Sequence, residues 1–451
     1  MQTDTEMNDT QTAQPERPRR TPLYALYTAN AISSVGDVLT LLAIPWFVLQ
    51  TTGSVAQTSI TAVFTTASVA ISALLGSLVV DRLGLQRASV FSDLLGGVCV
   101  ALIPLLYSTV GLPFWALLAL VFLAGLCTTP GGTARSVLVP DLAAMAQTSL
   151  EGASAATDGI NRIARFIGAP LAGVLIALIG ASNLLWIDAA SFVLSAALIG
   201  WAVPAHVVAP ARTASAATAQ HAQSEMATGV RGYLAHLGEG VRFIGRDGLL
   251  VSLIVTVMVT NLLDAGFGAV LQPAYIKHTY GTAIVLGGVT AAFGGAAFVG
   301  TVVFGAIGHK LPRRLALGIG FTLAGATRYW ILALAPVPWA LFIVYALAGF
   351  CIGPVNPLID TVLYERVPTS MRARVFGTVT AGAMVGTPLG ALLSGLVATG
   401  IGLPNTLLIF GACYFLTTVG LLVNPLLQGI DSTRRKRGGT ASVSQTPFSE
   451  R

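Results

Sequence analysis

Long apolar stretches recur along almost the whole chain, from about residue 23 to residue 427. A helix that crosses the hydrocarbon core of a bilayer needs roughly 20 consecutive apolar residues, whereas a transmembrane β-barrel shows short segments of alternating polarity. The stretches here are continuous, and glycine and alanine recur in them at helical spacing. The sequence therefore predicts an all-α integral membrane protein with twelve transmembrane helices, at about 23–50, 57–80, 88–110, 113–136, 155–180, 183–204, 248–273, 283–307, 314–335, 338–361, 374–399 and 403–427.

The composition excludes several classes of protein. Hydrophobic residues make up 54% of the chain and charged residues only 10%, which is too apolar for an ordinary soluble domain. The four cysteines are isolated within apolar stretches, so neither a disulfide framework nor a zinc site is expected. The glycine-rich segments lack the Lys-Ser/Thr of a phosphate-binding loop. We therefore expect neither an enzyme nor a protein with a metal or organic cofactor.

Basic residues are distributed asymmetrically about the predicted helices. If the N-terminus is cytoplasmic, Arg17, Arg19, Arg20 and the basic run at 434–437 all lie in the cytoplasm, and most loops on the other side carry no Lys or Arg. The pattern indicates a multi-pass protein of the bacterial cytoplasmic (inner) membrane with both termini cytoplasmic. It also explains the net charge of +6 without a nucleic-acid partner.

A long polar segment divides the predicted helices into two sets of six. It opens with the low-complexity run "APARTASAATAQHAQ", typical of a flexible linker, and continues as "VRGYLAHLGEGVRFIGRDG", which indicates a short amphipathic helix at the membrane surface. The predicted organisation is a cytoplasmic tail, a six-helix bundle, a cytoplasmic linker containing the amphipathic helix, a second six-helix bundle and a basic cytoplasmic tail, at 1–22, 23–204, 205–247, 248–428 and 429–451.

The two sets of helices show weak internal similarity in the same order. "GDVLTLLAIPWFV" corresponds to "LDAGFGAVLQPAYI", so that Asp37 precedes Pro45 by eight residues and Asp264 precedes Pro273 by nine. "DRLGLQR" (81–87) corresponds to "HKLPRRL" (309–315), and "GAPLAG" (168–173) to "GTPLGALLSG" (386–395). A duplicated half of this kind predicts two pseudo-symmetric six-helix bundles, with a substrate site near the membrane midplane.

One acid lies near the middle of the first predicted helix, in "SSVGDVLTLLAIPWF". Carboxylates at this depth are expensive and are functional candidates by default. Low dielectric favours the neutral form of a carboxylate, which can take up a proton from one side and release it to the other. Asp37 is therefore predicted to carry a coupled proton, to hold a cationic substrate, or both. The alternative is a structural acid that caps a helix break or is bonded by Asn30, Ser33 or Ser34.

Two further acids are candidates of the same kind. Asp264, close to Asn261, is the counterpart of Asp37 in the seventh predicted helix and is expected to assist coupling or contact substrate. It is placed nearer the outer side, where a solvated vestibule acid is the alternative. Asp188, about six residues into the sixth predicted helix, is either functional or simply solvated near the outer surface.

Two arginines lie three residues apart in the fifth predicted helix, on one face. Arg162 follows Asp158 by four residues, the spacing of an exposed ion pair. Arg165 lies further into the apolar stretch. It either pairs with a buried acid, binds an anionic group of a substrate, or extends its long side chain to the inner interface.

The segment "GSLVVDRLGLQR" between the second and third predicted helices resembles motif A of the major facilitator superfamily. The matching positions are Gly76, Asp81, Arg82, Gly84 and Arg87, whereas Gln86 stands where the family is often basic. The resemblance implies a gate in which Asp81 meets the N-terminal end of the eleventh helix, whose dipole favours negative charge. Arg82 and Arg87 are available to pair with Asp93 or lipid phosphate, and Arg135 is expected to join this network.

Within the superfamily, the chain is similar to the drug:proton antiporter branch that includes macrolide efflux proteins and Tap-type multidrug pumps. The stretches "GDVLTLLAIPWFVLQTTGS", "GEGVRFIGRDGLL", "HKLPRRL" and "GPVNPLIDTVLYERVPTSMRARVFGTV" carry this similarity. The antiporter motif C of the fifth helix is degraded, because Ala169 precedes Pro170 and Arg165 occupies a position that is usually small. The resemblance implies export of hydrophobic or cationic drugs driven by inward proton flow.

The combined expectation is a monomeric secondary transporter that exports small amphipathic drugs or toxic compounds by proton antiport with alternating access. Its partners would be a small-molecule substrate, protons and the lipid bilayer. A proton-linked importer, or an exporter of a specific metabolite, lipid or siderophore on the same fold, is the alternative. A membrane enzyme or receptor is disfavoured, because the sequence contains neither a catalytic polar cluster nor an added soluble domain.

Overall fold

The computed structural model describes residues 19–204, 229–308, 312–334 and 337–423. Regular structure in these ranges is helical. The first six helices are α1 (Thr21–Thr52), α2 (Val55–Leu83), α3 (Leu85–Thr109), α4 (Phe114–Met145), α5 (Leu150–Ile179) and α6 (Ala181–Ala202). They are followed by α7 (Gly229–Ile244), α8 (Gly248–Gly266), α9 (Gln272–Tyr280), α10 (Ala283–Ile307), α11 (Arg313–Leu334), α12 (Pro338–Ile352), α13 (Val355–Arg366), α14 (Arg372–Ile401) and α15 (Leu403–Val423).

Twelve segments within the described ranges are long and apolar enough to cross a membrane. They coincide with the twelve predicted stretches, so the predicted all-α membrane fold is confirmed. An even number of crossings returns the chain to the side from which it started. We call the face at which α1 begins and α15 ends the terminal face, and the other one the opposite face.

The seventh span is a composite of α8, a π-helical turn at Phe267–Leu271, and α9. Pro273 is the second residue after the turn, which ends at Leu271, and proline cannot donate the backbone hydrogen bond of a regular helix. A π turn holds one more residue than an α turn. Pro273 follows Asp264 by nine residues, whereas Pro45 follows Asp37 by eight residues in α1. The π turn accommodates this one extra residue.

Tight turns connect consecutive spans. Gly84 alone separates α2 from α3, with a φ of 80°, a left-handed conformation that glycine adopts without a steric penalty. Gly53 ends α1 with a φ of 64°, and the next residue, Ser54, caps α2 by accepting a hydrogen bond from the Gln57 backbone amide at 3.2 Å. Such short connections keep successive helices antiparallel.

The two bundles have the same internal order. In the first bundle, the spatial order of neighbouring helices is α5–α1–α6–α3–α4–α2. In the second bundle, it is α14–α8–α15–α11–α12–α10. Each helix therefore has the neighbours of its counterpart, which is the pseudo-symmetry that the sequence similarity predicts. The bundles meet along two seams, α2 against α14 and α5 against α10.

The hydrophobic core shows where the bundles are joined. One large cluster of buried residues includes members of both bundles, such as Leu42 and Phe47 of α1 and Leu407 of α15, and lies toward the opposite face. Two other clusters lie toward the terminal face, and each belongs to a single bundle: one around Leu26 and Leu142, the other around Leu250 and Val362 and their neighbours. The described residues thus pack the bundles together near the opposite face and leave their cores separate near the terminal face.

Close backbone approach marks the seams. In the α5–α10 seam, the Cα of Gly173 faces Gly287, so closely that an added Cβ would collide with the neighbouring helix. In the α2–α14 seam, the Ser59 hydroxyl donates a hydrogen bond to the Ala391 carbonyl at 2.7 Å. Small residues allow helices to approach closely within a membrane.

The amphipathic segment forms α7 and packs against the second bundle. Glu239 makes an ion pair with Arg374 of α14 at 2.8 Å, Gly240 lies against Thr378, and Ile244 is buried in the second bundle's core. The segment is therefore helical, as predicted, and is attached to α14 at the terminal face.

Candidate transport site

Asp37 lies at mid-depth in α1 and has an exposed side chain. It is the 17th residue of a helix that starts at Thr21 and has 32 residues. Within the described residues, no hydrogen bond or ion pair reaches its carboxylate. The helix faces on either side of it contact α5 and α6. Asp37 consequently faces the space between these contacts.

The polar residues near Asp37 have other partners. Asn30 and Ser34 both donate to the side-chain oxygen of Asn161 in α5, at 2.9 and 3.0 Å. Ser33 accepts a hydrogen bond from the Arg135 guanidinium at 3.3 Å. The alternative in which these residues hold Asp37 in place is therefore wrong, and its carboxylate remains available.

Asp188 is buried rather than solvated. Its side chain is 1% exposed and accepts hydrogen bonds from the hydroxyls of Thr40 in α1 and Ser191, the latter at 3.2 Å. Gly36 makes room for it, because a Cβ there would collide with the carboxylate. Of the two alternatives for Asp188, the solvated acid near the outer surface is therefore wrong. Sequence alone could not show that α6 directs this residue toward α1.

A buried ion pair stabilises the interior of the first bundle. Arg135 contacts the Asp93 carboxylate at 2.9 Å, and the Ser195 hydroxyl donates to the same carboxylate at 2.6 Å. Arg135 also donates to Ser195 at 3.0 Å. Arg135 is thus a core residue and not part of a surface network. Because Asp93 is 0% exposed and already paired, the predicted pairing of Asp93 with Arg82 or Arg87 does not occur.

Asp264 is paired within the second bundle. It accepts a hydrogen bond from Arg328 of α11 at 2.6 Å and from the Tyr414 hydroxyl at 3.3 Å. It is the 17th residue of a 33-residue span and lies at mid-depth, deeper than predicted. Its side chain is 35% exposed, so these two partners leave part of the carboxylate uncovered. Asn261, one turn earlier, is exposed and is not bonded to Asp264.

Arg328 lies in the interior of the second bundle. Its guanidinium is stacked between the rings of Phe267 and Phe293, at 5.3 and 4.4 Å from their centroids. It also donates to the Ala324 carbonyl at 2.5 Å. The pairing of this arginine with Asp264 was not predicted from the sequence. An arginine within an apolar span was the available signal, since an intramembrane cation requires a counter-ion.

Arg165 and Arg162 of α5 are both exposed, as is Asp158. Within the described residues, neither arginine forms an ion pair, and the predicted pair between Asp158 and Arg162 is not formed. Arg165 therefore neither pairs with a buried acid nor packs into the core.

The motif A segment lies at the terminal face. Gly76 is buried against Pro130 of α4, at a distance of 3.6 Å from an added Cβ that a small side chain could also occupy, and Gly84 forms the turn described above. Arg82 and Arg87 are exposed. The Asp81 side chain lies outside the described residues, so its predicted contact with the eleventh span stays a prediction.

Gln86, the departure from the family pattern, has a structural role. Its amide donates to the carbonyls of Val203 and Gly200 at the end of α6, at 2.7 and 3.2 Å. Terminal carbonyls of a helix have no partner within the helix. Gln86 therefore fixes the start of α3 to the end of α6.

Comparison with known proteins agrees with this architecture. The family model described as Major Facilitator Superfamily matches residues 26–266 and 249–450. The multidrug efflux pump Tap of Mycobacterium tuberculosis (strain ATCC 25618 / H37Rv) is 29% identical over 421 residues, covering 91% of this chain and 95% of the relative. The multidrug efflux pump Tap of Mycolicibacterium fortuitum is 28% identical over 416 residues, covering 92% and 98%.

Solved structures with low sequence identity share the fold. The crystal structure of the nucleoside transporter NupG superposes with a TM-score of 0.63 at 12% identity, covering 89% of this chain and 98% of that chain. A bacterial homolog of the human lysosomal transporter Spinster gives a TM-score of 0.63 at 14% identity, covering 97% and 100%.

Proposed function

Because the chain belongs to the major facilitator superfamily, we propose that it exports small amphipathic drugs or toxic compounds in exchange for protons. The observation that carries the proposal is the environment of Asp37. This carboxylate is at mid-depth, exposed and unpaired among the described residues, while Asp93 and Asp264 are each bonded to an arginine. Asp37 is thus the acid best placed to exchange a proton or a cationic substrate with the central space.

Competition at Asp37 provides the coupling. An ionised carboxylate attracts a cationic substrate, and protonation removes that attraction. A proton arriving from one side therefore displaces the substrate toward that side. Asp264 assists by contributing a partly exposed carboxylate at the same depth, whose position is fixed by Arg328.

The packing of the bundles supports an alternating-access mechanism. The bundles share a core near the opposite face and have separate cores near the terminal face, which supports a state open to the terminal face. Release of substrate at the opposite face requires that the seams around Gly173 and Ser59 part. Motif A would then close the terminal face. Its residues are Gly76, Asp81, Arg82, Gly84 and Arg87.

The proposed location is the bacterial cytoplasmic membrane, with both termini and the terminal face in the cytoplasm. Basic residues concentrate on the cytoplasmic side of membrane proteins. This orientation is supported by four exposed arginines at the terminal face: Arg82, Arg87, Arg242 and Arg246. The similarity to Tap multidrug efflux pumps supports export of drugs as the direction and substrate class. The proposed unit is a monomer.

The test uses purified protein reconstituted in proteoliposomes with a pH-sensitive dye inside. Ethidium added to the wild type should drive proton movement, and Asp37→Asn should reduce this movement more than about tenfold, as expected from losing the group that binds the proton. Asp360→Asn, which removes an exposed acid of α13, is the matched control and should retain coupling. Unchanged coupling in Asp37→Asn would contradict the proposal.

The direction of substrate transport is measured separately in everted membrane vesicles. Energised vesicles containing the protein should accumulate ethidium, and a protonophore should release it. Ethidium loss from the vesicles on energisation would instead indicate an importer.

A further inference from the structure

Arg165 places an unpaired charge deep within the bilayer. It is the 16th residue of the 30-residue helix α5, roughly 22 Å from its first residue at 1.5 Å per residue. Its side chain is exposed and, among the described residues, makes no ion pair. An unpaired guanidinium at that depth is expensive in lipid, so it requires a water-filled space.

The neighbours of Arg165 on its own helix show which way it faces. Asn161, Arg165 and Ala169 form one row at four-residue spacing, which drifts gradually around an α-helix. Asn161 is bonded to α1, and the Ala169 carbonyl lies against Gly287 of α10. Arg165 lies between these two contacts, so it faces the space bounded by α1 of the first bundle and α10 of the second.

The same contacts give the level of Arg165 relative to Asp37. One turn below Arg165, Asn161 bonds Ser34, and three residues above it, Gly168 packs against Val38. Because α1 and α5 run in the same direction, Arg165 is level with the residues just before Asp37. An exposed cation and an exposed anion therefore face one space at one depth, on adjacent helices, without being bonded to each other.

We propose that Arg165 and Asp37 together bind zwitterionic amphiphiles, with Arg165 holding the anionic group of the substrate and Asp37 the cationic group. The guanidinium suits a carboxylate because it offers paired N–H donors in a fixed plane. This inference rests on the proposed function of Asp37 and adds the substrate class. A site with Asp37 alone would prefer simple cations, and an added carboxylate on the substrate would weaken binding.

The test measures equilibrium binding of two matched dyes to the purified full-length protein in detergent. Rhodamine B carries a free carboxylate and is a zwitterion at neutral pH, whereas its ethyl ester is a simple cation with nearly the same shape. The wild type should bind rhodamine B more tightly than the ester. Arg165→Gln should weaken rhodamine B binding by about tenfold, the effect of losing a charge-assisted hydrogen bond, and should leave ester binding within about twofold.

Three variants keep the test decisive. Arg165→Lys should retain part of the preference for rhodamine B, and Arg162→Gln, an exposed arginine one turn nearer the terminal face, should retain all of it. Unchanged ester binding in Arg165→Gln shows that the variant is folded.

The inference is overturned if the wild type binds the ester with an affinity equal to that for rhodamine B, or if it binds neither dye. An Arg165→Gln protein with an unaltered preference also overturns it. The proteoliposome experiment measures proton movement coupled to ethidium and does not depend on the dye-binding results. The proposed function of Asp37 could therefore be supported even if this inference fails.

Discussion

Asp37 and Asp264 occupy corresponding positions in the two bundles but have different environments. Each is the 17th residue of its span. Asp264 is held by Arg328 and Tyr414, and a π turn follows it. Asp37 has no such partner among the described residues, and α1 continues through Pro45 as a regular helix. The two bundles therefore place an acid at the same depth but surround it with different neighbours.

The buried charge pairs of the two bundles differ in the same way. In the first bundle the pair joins α3 to α4 and is enclosed, since the Asp93 side chain is 0% and the Arg135 side chain 8% exposed. In the second bundle the pair joins α8 to α11, and its acid is 35% exposed. The first bundle thus separates a structural ion pair from an available acid, whereas the second combines both in Asp264. Four substitutions test this difference.

The largest loss of stability is expected for Arg135→Met. The substitution leaves the Asp93 carboxylate buried without its cation, which costs about 3–5 kcal/mol. The midpoint of thermal unfolding in detergent should fall steeply, and the yield of monodisperse protein should drop. The double variant Asp93→Asn/Arg135→Met should recover most of the loss. A single variant as stable as the wild type would show that this pair is not structural.

A smaller loss is expected for Arg328→Met, about 2–3 kcal/mol, the cost of removing a hydrogen bond to a charged group. Asp264 is partly exposed, so water can replace the guanidinium, and the acid would come to resemble Asp37. The midpoint of thermal unfolding should lie between those of the wild type and Arg135→Met. A lower midpoint of thermal unfolding for Arg328→Met than for Arg135→Met would contradict the difference between the two ion pairs.

Gly36→Ala tests the packing that is particular to the first bundle. A Cβ at this position would collide with the Asp188 carboxylate and the Ser191 hydroxyl, so a loss of about 1–2 kcal/mol is expected from overpacking. Gly159→Ala is the matched control, because no atom lies within 4 Å of its added Cβ, and alanine should be neutral or slightly stabilising. Equal midpoints for both variants would show that α1 and α6 are not closely packed at Asp188.

The smallest effect is expected for Tyr414→Phe. It removes the hydroxyl that donates to Asp264 at 3.3 Å and leaves the stronger bond from Arg328 in place. A loss of about 0.5–1 kcal/mol is expected for one such bond. A destabilisation as large as that of Arg328→Met would mean that the tyrosine, and not the arginine, fixes Asp264.

The fold could be predicted because its signals are local. A run of about 20 apolar residues indicates a span wherever it lies in the chain, and the similarity around Asp37 and Asp264 indicates the duplication. The ends of the helices were less predictable. The second and third spans were expected to be separated by several residues, but Gly84 alone connects them. One residue with a positive φ is sufficient to reverse the chain there.

The candidate site could be predicted only in part because its pairings are not local. Asp264 and Arg328 are separated by 64 residues, and Asp188 and Thr40 by 148. The sequence identifies each as a charged or polar residue within an apolar helix, but not the direction in which its helix turns it. The sequence therefore left open whether Asp188 is functional or solvated, and it did not match Arg328 to its acid.

The attachment of α7 to α14 has a practical consequence for handling the protein. The ion pair of Glu239 with Arg374 and the burial of Ile244 assign this helix to the second bundle, so the covalent link between the bundles precedes it. A gene divided between the codons of residues 205 and 228 would encode two polypeptides, each with a complete bundle. Co-expressed fragments divided there should reassemble into an active transporter, whereas a division after Ile244 would remove α7 from the helix that holds it.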